Sequence, residues 1–108
     1  MTAGEVIILE FPFSDLKGSK VRPAVVVASV ANGDFIACQV TSNSAADSRA
    51  IELENSSFTV GGLKLLSFAR PCKLFTAHES IVVKVVGRLT DSMKDRVRSA
   101  VIDVIRSG

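Results

Sequence analysis

The chain has 108 residues, a net charge of +2 and 47% hydrophobic residues, with a mean hydropathy of +0.35 and a pI of about 8.7. That length suits one domain, 1–108, and excludes two, and the mild basicity does not by itself mark a nucleic-acid binder. One histidine excludes two-histidine acid–base catalysis within a subunit, and two cysteines with no CxxC or His/Cys pattern indicate no metal site.

A chain this small buries only about 60–70% of its unfolded surface. The apolar excess therefore predicts a covered interface, most simply a symmetric homodimer. The N-terminus lacks a basic leader and its apolar stretch is interrupted by Glu5 and Glu10. It reads as neither a signal peptide nor a membrane span, so a cytoplasmic protein with free thiols is expected.

Residues 5–11 read as a first strand, with Ile7, Leu9 and Phe11 on one face and Pro12 ending it. Residues 13–21 form a loop with the turn-favouring Ser14-Asp15 and Gly18-Ser19. A second strand spans 23–30, its proline tolerated at the strand start. Asn32-Gly33 is a hairpin signal, and 34–42 is the returning strand. Alternation puts Phe35, Ala37, Gln39 and Thr41 on one face and Ile36, Cys38 and Val40 on the other, which is expected to be the core face.

A polar loop at 43–48 precedes short strands at 49–53 and 57–60, and Gly61-Gly62 marks a turn. Residues 65–75 look like a strand broken by Pro71. Residues 81–89 are apolar on both faces, which predicts a central or interface-covered strand. Met93, Val97, Ala100, Val101, Val104 and Ile105 then recur at spacings of three and four, describing one face of a helix. Thr90 or Asp91 caps its start, and Arg106 suits its end. The sum is a mainly β fold, a small antiparallel β-barrel closed by a C-terminal helix.

Two stretches carry the chemistry. Lys20-Val21-Arg22-Pro23 leads into Ala24-Val25-Val26-Val27-Ala28, and Gln39-Val40-Thr41-Ser42 closes the next strand. If those strands pair, a guanidinium and a hydroxyl converge on one spot, and a guanidinium fork matches phosphate oxygens in two-pronged geometry. Positive charge gathers at Lys17, Lys20 and Arg22, and again at Lys64, Arg70 and Lys73. On charge alone these clusters fit a solvated loop as well as a phosphate site. Taken singly, Arg22 reads first as a carboxylate partner, and Thr41 as an ordinary strand residue. Cys38 reads as a buried free thiol and His78 as a surface residue. No P-loop, GxGxxG or paired-carboxylate motif is present, so an enzyme built on this chain relies on arginine and hydroxyls, with a single carboxylate as a further option.

The order of the whole set is informative. Gly4-Glu5-Val6-Ile7, Phe11-Pro12-Phe13-Ser14-Asp15, Arg22-Pro23, Gln39-Val40-Thr41-Ser42, Gly61-Gly62-Leu63, Arg70-Pro71, Lys73-Leu74-Phe75-Thr76 and Gly87-Arg88-Leu89 precede a final amphipathic helix. This series resembles the MazF/PemK family of toxins, the mRNA interferases of type II toxin–antitoxin systems, over nearly the full chain. The resemblance implies an SH3-like β-barrel with a C-terminal helix and a homodimer. It implies sequence-specific, metal-independent cleavage of single-stranded RNA by 2′-hydroxyl attack, no cofactor, and a cognate antitoxin that lies in the basic groove. It places Arg22 and Thr41 at the catalytic positions, with Gln39, Lys20, Ser42 and Arg70 as substrate-binding residues.

Two departures stand out: relatives often carry an aspartate where this chain has Cys72, and some carry an acid near the position of Lys17. The general base is therefore left unassigned. The same fold also serves toxins that poison DNA gyrase by binding, which lean on a C-terminal tryptophan absent here. A catalytically silent barrel that binds RNA or protein is the remaining alternative.

Overall fold

The computed structural model describes residues 1–12 and 19–108. Lys17 and most of the loop expected at 13–21 lie outside the described residues. Among the described residues, seven strands and one α-helix follow in order: β1 (Glu5–Pro12), β2 (Ser19–Ser29), β3 (Asp34–Thr41), β4 (Ile51–Leu53), β5 (Phe58–Gly61), β6 (Ser67–His78), β7 (Val82–Leu89) and α1 (Asp91–Ser107). The strands form one antiparallel sheet in the order β4-β6-β3-β2-β1-β7-β5, curled into a half-barrel.

β2 starts at Ser19, four residues earlier than the sequence predicts. Lys20, Val21 and Arg22 are strand residues, paired with Phe11, Glu10 and Leu9 of β1. Pro23 stands just outside the β2–β3 ladder, which begins at Ala24↔Gln39, so its missing N–H breaks no bond there. At the other end of β2, the Asn32-Gly33 turn takes φ values of 63° and 82°, which these two residues tolerate best. The hairpin first pairs Ser29 with Phe35 and Ala28 with Ile36. Val27 is then an extra residue, and pairing resumes at Val26↔Ala37. Val27 is a β-bulge, and it shifts everything beyond it by one position.

The expectation of a single core face on β3 is corrected. Phe35 and Ala37 are buried on one side, and Cys38 and Val40 on the other. One core cluster joins Val6, Val25, Cys38, Val40, Leu53 and Leu89 to Val97 and Val101 of α1. A second, on the opposite face, holds Ile7, Leu9, Ala24, Val26, Phe35 and Ala37, with Phe11, Phe75 and Val82 against it. The edge-to-face contact of Phe11 and Phe75, at 4.8 Å between centroids, closes this cluster at its rim. The central strands therefore have no solvent face along most of their length.

β6 is not broken at Pro71. Its register against β3 jumps between Cys38↔Leu74 and Val40↔Ala69, and the buried Pro71 sits in that irregularity, where no ladder bond is required of it. Gly61 belongs to β5 and not to a turn. Its φ is 68°, and an added Cβ would lie 2.0 Å from the Val86 carbonyl oxygen, so only glycine fits. Thr90 caps α1 by accepting the Met93 N–H at 3.2 Å. β7 lies between β1 and β5 but leaves Val83 and Val85 exposed.

The two thiols differ sharply. Cys38 is buried and its pKa is pushed up to about 12 by desolvation, whereas Cys72 is exposed. In the native chain at pH 8, iodoacetamide should label Cys72 alone, and labelling of Cys38 should require denaturant. The fold favours the neutral Cys38 thiol, so the unfolded chain releases that proton first. This contribution to stability is intact below the ordinary thiol value of 9.0 and declines as pH rises towards about 12. The slope is at most about 1.4 kcal/mol per pH unit. Urea melts of the wild-type chain and of Cys38→Ala between pH 8 and 10.5 should show the decline only in the former.

Candidate phosphate-binding cleft

The strand registers bring the two sequence motifs together. Leu9 lies opposite Arg22, and Ala24 opposite Gln39. Continued two residues past Ala24, the same register sets Arg22 across from Thr41. Directly opposed residues share a face, as do residues two apart. Lys20, Arg22, Gln39 and Thr41 therefore extend the face that carries Leu9, Ala24 and Ala37. Inward, that face is dry and apolar; at its open end it turns polar and cationic.

An open cleft of about 270 Å³ lies at this end, lined by Arg22, Pro23, Val40, Thr41, Ser42, Leu63, Lys64, Leu65 and Ser67. Among the described residues, two cations and three hydroxyls line it and no carboxylate does. A larger hollow beside the end of α1 is lined by Arg49, Arg106 and Asp103, where a carboxylate offsets one of the two cations. Cleft charge, and not hollow size, identifies the candidate site.

Arg22 is exposed, and among the described residues no carboxylate pairs with it. The structural role that a strand-start arginine most often plays is thus not the one seen. Thr41 Oγ1 accepts the Asn43 N–H at 3.1 Å. That bond uses a lone pair and leaves the hydroxyl proton for a further acceptor. Ser42 follows on the cleft wall. Ser67 Oγ donates to the Leu65 carbonyl at 2.8 Å and so fixes the opposite wall, formed by Leu63, Lys64 and Leu65.

Gln39 is half-buried two residues inward of Thr41, and Lys20 is exposed two residues outward of Arg22; neither lines the cleft itself. Arg70 is elsewhere. Its Nη2 donates to the Ala46 carbonyl at 3.1 Å, and its Nε lies 3.9 Å from the Asp47 carboxylate. Cys72 is exposed beyond Pro71 and does not line the cleft. His78 is the exposed last residue of β6; its Nδ1 accepts the Ser80 N–H at 3.1 Å, with Nε2 3.1 Å from the Asn32 carbonyl oxygen. In the neutral tautomer that satisfies both contacts, the ring ties two turns together. Among the described residues no group of three or more His, Cys, Asp or Glu is placed to hold a metal ion.

Lys64 and Ser67 are the cleft residues that the sequence motifs miss. Lys64 is visible as a charge after Gly61-Gly62, but its place opposite Arg22 depends on the pairing of distant strands.

A family model described as "PemK-like, MazF-like toxin of type II toxin-antitoxin system" matches residues 2–105. No curated protein sequence matches the chain. Among solved structures, a MazE–MazF complex from Deinococcus radiodurans superposes with a TM-score of 0.76 at 18% identity, covering 100% of this chain and 97% of that one. An endoribonuclease in complex with its cognate antitoxin, from a mycobacterial species, gives 0.71 at 13% identity over 98% and 93% of the two chains. The Mycobacterium tuberculosis toxin MazF-mt6 gives 0.70 at 14% over 95% and 96%. At these identities the structural likeness concerns the fold.

Proposed function

The chain belongs to the PemK-like, MazF-like toxin family of type II toxin–antitoxin systems, and from that premise we propose that it is a sequence-specific endoribonuclease acting on single-stranded RNA without a metal. The observation that carries this reading is that Arg22 and Thr41 line one cleft in which, among the described residues, the charged side chains are both cations.

The reaction is an internal transfer. The RNA 2′-hydroxyl oxygen attacks the adjacent phosphorus, the bond to the 5′-oxygen breaks, and a 2′,3′-cyclic phosphate and a 5′-hydroxyl result. Charge accumulates on the phosphoryl oxygens at the transition state. Arg22 meets two of these oxygens through its fork, and its charge is permanent. The Thr41 hydroxyl donates to the same phosphoryl group, its oxygen already held by the Asn43 amide. Lys20 and Lys64 attract the flanking backbone, Ser42 adds a donor on the wall, and Gln39 orients the phosphate or a base edge. Stabilisation of this kind is a major part of phosphoryl-transfer catalysis.

A cognate antitoxin is the proposed regulator. An acidic segment laid along Lys20, Arg22 and Lys64 would compete with RNA for the same cations. Among the described residues no helix is long and apolar enough to cross a membrane. The free thiols of Cys38 and Cys72 fit a cytoplasmic setting.

We also propose a homodimer, supported by Val60, Val83 and Val85, which are 64%, 53% and 45% exposed on the neighbouring strands β5 and β7. Sedimentation at micromolar concentration should give about twice the 11.5 kDa chain mass, and Val83→Glu with Val85→Glu should return the monomer. A monomeric wild-type chain would instead assign that strip to another partner.

Arg22→Gln should lower kcat for RNA cleavage by about 10²–10³, the usual loss for a transition-state donor, without changing the unfolding midpoint. Thr41→Val should lower it by about tenfold or more. Cleavage should persist in EDTA and leave cyclic phosphate ends. Undiminished activity of Arg22→Gln, or a divalent-metal requirement, would overturn the assignment. RNA binding without cleavage would favour the silent binding module.

A further inference from the structure

Arg70 is too engaged to serve as an RNA ligand, and its engagement leads back to the cleft. The Arg70 side chain is 23% exposed and that of Asp47 only 6%. Arg70 Nε and Asp47 Oδ2 are both buried and accept or donate no hydrogen bond, so their compensation is the charge of the other, 3.9 Å away. A buried charge without its partner is costly, which ties the two residues together. Asp47 Oδ1 meanwhile accepts the Arg49 N–H at 2.9 Å and fixes the end of the 42–50 loop.

From Arg70 a series of hydrogen bonds runs through that loop. Arg70 Nη2 donates to the Ala46 carbonyl at 3.1 Å. The Ala46 N–H donates to the Asn43 carbonyl at 3.2 Å. The Asn43 side-chain oxygen accepts the Ala45 N–H at 3.0 Å, closing the turn. The Asn43 N–H then donates to Thr41 Oγ1 at 3.1 Å. The last acceptor is the hydroxyl that faces Arg22 across the cleft.

We propose that Arg70, balanced by Asp47, is a positioning residue that sets the Thr41 hydroxyl through the Ala46–Asn43 relay, and is not a phosphate ligand. The inference rests on the endoribonuclease reading for its kinetic consequence only. Donors aimed in advance at a transition state depend on such supporting bonds, because a misdirected hydroxyl binds substrate but does not follow the developing charge. The reassignment also moves Arg70 from the substrate-binding set, where the sequence resemblance puts it, into the framework behind Thr41.

The test uses the full chain and the double variant Asp47→Asn with Arg70→Gln. It removes both buried charges together, so neither is left without its partner, and it folds more readily than either single variant. Arg70→Lys, which keeps the charge and one donor, serves as the conservative rescue. Solvent-exchange NMR of the Asn43 amide reads the relay without RNA. Exchange should quicken at least about tenfold in the double variant and less in Arg70→Lys. Unchanged Asn43 exchange in the double variant overturns the proposal, whatever cleavage does.

In cleavage assays, kcat should fall at least about tenfold with KM within about threefold, and Arg70→Lys should recover part of the loss. Binding of an RNA carrying 2′-O-methyl groups should keep the wild-type dependence on salt. A salt slope reduced by about 0.7, the value of one lost phosphate contact on a single strand, with kcat unchanged, would make Arg70 a phosphate ligand and overturn the proposal. If the wild-type chain cleaves no RNA, the endoribonuclease reading fails, and the exchange arm alone decides the relay.

Discussion

In the β2–β3 hairpin, the pairs next to the turn are Ser29↔Phe35 and Ala28↔Ile36. Carried without interruption to the far end, that register would set Pro23 opposite Thr41 and Arg22 opposite Ser42. The bulge at Val27 takes up one residue of β2, and pairing resumes as Val26↔Ala37 and Ala24↔Gln39. Continued past the last paired residues, this register sets Arg22 across from Thr41 on the same face, and both line the cleft. A one-residue change of register turns every side chain of a strand to the other side of its sheet. The convergence of guanidinium and hydroxyl is therefore a consequence of one extra valine, a few residues before the turn that opens the count. Bulges beside functional sites commonly re-aim side chains in this way.

Polarity alone does not fix that register, because β1, β2 and β3 are apolar on both faces. Shape and turn chemistry do. The Asn32-Gly33 turn sets where pairing starts. Ala24 and Ala37 then provide small surfaces beside the buried Phe35 ring in the second cluster, where a shifted strand would present valine. On the other face, Cys38 and Val40 meet the side of the sheet that α1 covers. At the open end these apolar rows give out, and the side chains that continue them are Lys20, Arg22, Gln39 and Thr41. The site is the polar end of a dry sheet face, with Leu63, Lys64 and Leu65 as its outer wall.

Much of this was legible in the residues. β1, β3 and β7 fall within a residue or so of their expected bounds, because alternation and turn signals are local. The helix follows from its three-and-four spacing and its Thr90 cap. Arg22 and Thr41 were visible as chemistry suited to phosphate, and the family motif order placed them together. What escaped the sequence is non-local. The early start of β2 depends on partners in β1 that accept Lys20 to Arg22 into a ladder. The continuity of β6 through Pro71 depends on a register jump against β3. The second buried face of β3 depends on how the sheet curls. Arg70 reads as one more cation in a basic loop, and only its distance to the buried Asp47 carboxylate reveals that its charge is already balanced. Lys64 faces the cleft for an equally distant reason, the closure of the 63–66 segment over the open end of the sheet.

The central claim is that Arg22 and Thr41 hold one phosphate between them. The most direct measurement is an NMR titration of the labelled chain with short single-stranded RNA carrying 2′-O-methyl groups, following the Arg22 side-chain Nε–H and the backbone amides. The account predicts that the Arg22 Nε–H and the amides of Thr41, Ser42 and Lys64 move together with one affinity, and that Arg22→Gln abolishes the shift at Thr41 as well as its own. Shifts at Thr41 that survive Arg22→Gln unchanged, or RNA-induced shifts confined to the region of Arg49, Asp103 and Arg106, would contradict it.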